Sequence, residues 1–218
     1  MGTFSGNVLV ARPFEEAVPL PAGEGLSGYA LPAGQGHTVV HPDPDTSSVD
    51  AAGGLSKLLG APVPGTYVFD PDVLVMLVHG DGALRLHHDS CPGCFDGPET
   101  GENGNPLTPV DDFEFPAPEG VDPQAFLPLA AGPVDRAAPE SALRGIPLDP
   151  DDGDDGRYAD GRYAFAEAQH YDVMVCPRLD ASRSTTGFSH LAGGDLPHGT
   201  SAGDPVTLGG AARPTPVG

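Results

Sequence analysis

The chain has 218 residues and a formal net charge of −21, with one lysine, Lys57, among ten basic residues. Ten carboxylates and no Lys or Arg lie between Arg85 and Arg136, so neither nucleic acid nor an anionic membrane is an expected partner; both need clustered cations. Leu, Ile, Val and Phe supply only 48 residues, while Gly and Pro supply 57, which bounds the core to part of the chain.

Thr3 to Arg12 reads as a first strand, with Phe4, Val8 and Val10 on one face and Leu9 on the other. Pro13 ends it. Residues 14 to 36 are Pro- and Gly-rich and read as loop, with a short extended piece at Tyr29 to Leu31. His37 to His41 (HTVVH) is a second strand, stopped by Pro42 and Pro44. A helix follows. Ser47 caps it, Val49, Ala52, Leu55, Leu58 and Leu59 form its apolar stripe, and Gly60 and Pro62 end it. Gly53-Gly54 inside it costs about 1 kcal/mol per glycine relative to alanine, so packing must hold this helix.

Thr66 to Cys94 is the organising stretch. Val73 to Val78 is an unbroken apolar run, the pattern of a strand buried on both faces. Gly80-Asp81-Gly82 supplies a tight turn. Leu84 and Leu86 then alternate with Arg85 and His87, which predicts a half-buried return strand. These elements give an α+β fold: a small, mostly antiparallel sheet with one covering helix, βαββ-like in its N-terminal half and loop-rich in its C-terminal half.

Beyond Pro92 the chain is acidic and irregular to about residue 120, as an insertion would be. Val110 to Phe115 offers a short edge strand, and Asp122-Pro123 starts a short helix. Pro139 to Gly145 is another. Asp149 to Asp155 carries five acids in seven residues, and DGRYA occurs twice, at 155–159 and 160–164. Asp160 caps a helix over 161 to 175, or Val173 to Cys176 is a late strand. Thr185 to Leu191 is expected as a strand with Phe188 inside. The whole divides into one domain over 1–191 and a loop and tail over 192–218.

The chemically suggestive residues come straight off the second hairpin strand, in His87-His88-x-x-Cys91-Pro-Gly-Cys94. Two thiolates on so tight a turn can share a zinc ion, with His88 (or His87) as third ligand and Cys176, His170 or a later histidine as fourth. The expected metal set is His88, Cys91, Cys94 and Cys176. A thiol–disulfide centre fits less well, because FDGPETGENGNP after Cys94 cannot form the helix that would activate a thiolate. The acidic run at 149–155 fails as an EF-hand: Gly153 and Arg162 stand where ligands belong.

The segments TFSGNVLVAR, LSKLLGAPVPGTYVFDPDV and TTGFSHLAGGDLP resemble an uncharacterised family of small acidic actinobacterial proteins. They cover about a third of the chain, omit the Cys91/Cys94 pair and bring no activity with them. The function expected is that of a cytoplasmic, non-enzymatic interaction or accessory module with a basic-surfaced protein partner. The alternative is a small zinc-binding or thiol-dependent protein centred on His87, His88, Cys91 and Cys94.

Overall fold

A computed structural model describes residues 4–34, 36–69, 72–94, 116–148, 163, 165–201 and 204–209. Seven strands form one antiparallel sheet, and with its helices it makes an α+β fold. The strands are β1 (Phe4–Val10), β2 (Gly28–Pro32), β3 (Thr38–Pro42), β4 (Val63–Phe69), β5 (Val73–Gly80), β6 (Ala83–Asp89) and β7 (Val206–Leu208). Their order across the sheet is β6-β5-β4-β1-β3-β2-β7, so the first strand is central.

Period-two alternation sorts the strand residues onto two faces. Val8, Val10, Ala30, Val40, Val63 and Leu208 line one side. Leu9, Tyr29, Leu31, Val39, Val68, Leu74, Met76 and Val78 line the other. The first side is covered by the helix expected after Pro44, Ser48–Leu59. Its cap is Ser47, whose hydroxyl accepts from the Asp50 amide at 3.3 Å, and Gly60 closes it in the left-handed region at φ 58°. Ala51, Ala52 and Leu55 are buried against the strands.

The helix sits so close to β4 that a Cβ on Gly65 would lie 2.5 Å from the Ser48 carbonyl oxygen and 3.0 Å from the Ala52 Cβ. That approach, with the Ser48 hydroxyl donating to the Thr66 carbonyl at 2.8 Å, is how packing holds a helix weakened by two glycines. The Asp81-Gly82 turn has both residues at positive φ, as a two-residue hairpin requires, and the Gly82 amide donates to Ser56 Oγ.

The stretch from 14 to 36, expected as loop, contains two short helices, α1 (Phe14–Ala17) and α2 (Pro19–Gly23). Phe14, Val18 and Leu20 give them an apolar side that packs under the same face as the longer helix, α3. The C-terminal half also carries more structure than its composition suggests. Helices α4 (Ala137–Leu143), α5 (Ala166–Val175), α6 (Ala181–Ser184) and α7 (Phe188–Gly193) cover the second face of the sheet.

Thr185 to Leu191 is therefore not a strand. Gly187 precedes α7 and Gly194 ends it in the left-handed region, while Phe188 stacks at 5.1 Å on Tyr29. For 161–175 the helical alternative is the one found, starting at Ala166; Val173 and Met174 are its core residues. Asp122 caps a 3₁₀ turn over Pro123–Ala125, and α4 occupies the second short-helix site. Within the stretch expected as tail, Val206–Leu208 pairs with β2 and Leu208 is buried. The expected strand at 110–115 and the acidic run at 149–155 lie outside the described residues, as does DGRYA apart from Tyr163.

Two expectations about the hairpin are corrected. In β5, Leu74, Met76 and Val78 are buried but Val75 and Leu77 are only half-buried, because α3 packs first on β4 and only then on β5, and this one helix leaves the β6 edge of that face open. In β6 a bulge pairs Val78 with Leu86 but His79 with Leu84. The extra residue moves Leu84 to the α3 side, where it is 52 % exposed, while Leu86 and His88 face the core. Among the described residues, no helix is long and apolar enough to cross a membrane.

Candidate functional site

Of the four residues expected to hold zinc, the structure places Cys91 and Cys94 on one turn, His88 on β6 and Cys176 at the end of α5. β6 turns His87 to solvent and buries His88, whose Nδ1–H donates to the Glu119 carbonyl at 2.9 Å. Burial pushes His88 down to about 4, only partly offset by that bond. Cys91 and Cys94 do form a tight turn, with the Cys94 amide donating to the Cys91 carbonyl at 3.0 Å. Cys176 lies at the far end of α5 in the core, and burial, then the charge of Asp172, raises its thiol to about 12. Among the described residues, no group of three or more His, Cys, Asp or Glu side chains is arranged to hold a metal ion.

A different set of polar side chains converges beneath the C-terminal helices. Thr66 stands directly opposite Asn7 across the β4–β1 pair, and Met76 and then His88 continue the same row outward. On the other side the β1–β3 register, which ends with Val8 opposite Val40, puts His41 beside Asn7, and Tyr29 lies opposite His41. His170 comes down from α5 near enough for its ionisation to feel that of His41. Asn7, His41, Thr66 and His170 are each at most 1 % exposed.

Some of their polar atoms have an evident task. Asn7 Nδ2 donates to the Ser184 carbonyl at 2.6 Å, and His41 Nε2 donates to the Arg183 carbonyl at 3.1 Å. These two bonds hold α6 on the sheet. The others are buried without a partner: Asn7 Oδ1, His41 Nδ1, Thr66 Oγ1 and both nitrogens of His170. Burial pushes His41 down to about 4, the Arg183 carbonyl opposing, and pushes His170 down to about 3 with His41 adding to the effect. Both imidazoles are neutral at pH 7. His170 figured in the sequence only as an optional zinc ligand, and Asn7 and His41 only as parts of strands. The sign of something more was a polar residue at an inward strand position two removed from Leu9 or Val39.

The surface offers a second feature. A groove of about 580 Å³ opens at the start of α3, between the 42–49 loop, Tyr67 and Phe188. Asp43 and Asp45 line it, and among the described residues no Lys or Arg does. Asp43 shapes the loop, accepting from Ser27 Oγ, the Asp45 amide and Thr46 Oγ1. A further depression of about 570 Å³ beside the hairpin turn carries both Arg85 and the carboxylates of Asp81 and Asp122, so its charges largely offset one another.

Comparison of the chain with protein-family models, with curated proteins and with solved structures gives no match.

Proposed function

We propose that this chain is a non-enzymatic interaction module that receives a basic segment of a protein partner in the groove at the start of α3. The observation that carries the reading is the groove's composition: two carboxylates, two aromatic rings and, among the described residues, no cationic side chain around about 580 Å³. The N-terminus of α3 brings roughly half a positive charge. It is outweighed by Asp43 and Asp45 in the groove and by Asp50 in the helix's first turn. An arginine or lysine entering there meets carboxylates and the face of Tyr67, a cation–π partner. Tyr67 stands opposite Val75, which also lines the groove, and Leu77 follows Val75 on the same face of β5; both are half-buried. A charged pocket beside an apolar strip is the make-up of a recognition surface, with an anchor site and surrounding contact area.

The test is a pair of short peptides, one alternating arginine and leucine and one alternating glutamate and leucine, titrated into the 15N-labelled protein. The arginine peptide is expected to move the amides of Thr46, Ser47, Val49 and Tyr67, to weaken as salt rises from 50 to 300 mM, and to bind Asp45→Lys about tenfold less well. Shifts spread evenly over the acidic surface, or equal binding to Asp45→Lys, would overturn the reading.

A further inference from the structure

Independently of the groove, the buried row assigns a role to atoms that the fold itself leaves idle. We propose that His41 Nδ1, one ring nitrogen of His170 and Asn7 Oδ1 bind a single divalent metal ion of the zinc class, with Thr66 Oγ1 accepting a hydrogen bond from a metal-bound water.

The donor chemistry leads to this. His41 Nε2 faces a carbonyl oxygen and so carries the ring proton, which leaves Nδ1 as a bare lone pair. Asn7 Nδ2 also faces a carbonyl, which leaves Oδ1 as a lone-pair acceptor. Two acceptors fixed in this way, beside a neutral His170, call for an electron-pair acceptor. A metal-bound histidine typically donates its second ring N–H to a backbone carbonyl, which fixes tautomer and orientation. The His41–Arg183 bond at 3.1 Å supplies that support in advance.

Neutral imidazole is the form that binds metal, and both rings are at most 1 % exposed, with the nitrogens in question unpartnered. Two imidazoles and an amide oxygen leave a fourth tetrahedral position for water. Thr66, opposite Asn7 and with its hydroxyl unpartnered, is placed to receive that water's hydrogen. No carboxylate takes part, so the ligand set is neutral. A zinc-bound water loses a proton near pH 7, and the resulting hydroxide offsets half of the buried positive charge. The other nitrogen of His170 keeps its proton. The site differs wholly from His88, Cys91, Cys94 and Cys176.

The experiment uses the full chain, stripped of metal and refolded from urea with and without one equivalent of Zn²⁺. Imidazole nitrogens are followed by long-range 1H–15N NMR. His41 Nδ1 and one nitrogen of His170 are expected to move to metal-bound shifts at one equivalent, with a raised melting temperature that a chelator reverses. Affinity is expected to survive the Cys91→Ser/Cys94→Ser double substitution and to fall at least about tenfold in His170→Gln. No movement of these two rings at one equivalent, or movement confined to the remaining histidines, overturns the proposal. The wild-type spectrum decides even where the His170 variant does not fold.

Discussion

His88 makes the stability of this protein depend on mild acid. Its folded pKa is about 4, against an ordinary 6.5, with burial the main cause, the Glu119 carbonyl and the charge of Asp89 opposing, and His87 adding. The unfolded chain therefore binds the proton first, and stability rises with pH. The contribution is complete above about pH 6.5 and is lost progressively as pH falls toward 4. Linkage between these two values gives a loss of about 1.2 kcal/mol between pH 7 and pH 5.5 from this one side chain. The comparison is with His88→Gln, which cannot titrate and keeps an N–H to offer Glu119. Urea unfolding of both proteins at pH 7 and 5.5 isolates the term, because the net charge of −21 and its changes with pH are nearly common to both. With a urea dependence of about 2 kcal/mol per M, the wild-type midpoint should fall about 0.6 M further than the variant's. Equal falls would mean that His88 is solvated in the folded protein and that its burial has been misjudged.

Two further outcomes follow from packing and burial. Gly65→Ala puts a Cβ 2.5 Å from the Ser48 carbonyl and must push α3 off β4; we expect a loss of about 1–3 kcal/mol in thermal or urea unfolding. Gly23→Ala, where a Cβ meets nothing within 4 Å, should be neutral or slightly stabilising, and similar losses in both would refute the close approach. Cys176, its thiol raised to about 12, should resist iodoacetamide at pH 8 while Cys94, half-buried on its turn, is alkylated. Mass spectrometry of native and urea-unfolded samples reads this directly, and equal labelling in the native state would contradict the buried position.

The features legible in the sequence were those fixed by neighbouring residues. Ser47 and Gly60 mark the ends of α3, and Asp81-Gly82 marks the hairpin, because capping and positive φ are demands of a few consecutive positions. The bulge opposite His79 was not legible. A single inserted residue leaves the alternation of Leu84, Arg85, Leu86 and His87 looking regular, yet it sends the two leucines to opposite faces. Nor was the helical layer legible in full. Phe188 suits a strand or a helix equally until Tyr29 is known to lie beneath it. The candidate sites fared by the same rule. The Cys91–Cys94 turn was visible because it is local. The Asn7, His41, Thr66 and His170 row depends on the registers of β1 with β3 and β4 and on where α5 lands, and residue pattern alone does not set these.

The grip of Asn7 and His41 on the carbonyls of Ser184 and Arg183 joins positions 177 and 142 residues apart. In a chain made from its N-terminus, β1 to β6 are available early, and they can pair long before α6 leaves the ribosome. Until α4 and α5, and then α6 and α7, have followed, the sheet's second face, with Leu9, Leu31, Val39, Leu74 and Met76, lacks its full cover. The nascent protein thus passes through a stage in which a six-stranded sheet shows part of its oily side to solvent. Closure of the helical layer over Asn7 and His41 is then the slow, long-range step that ends this exposure. Exposure during synthesis is thus a hazard of this architecture that the finished fold conceals.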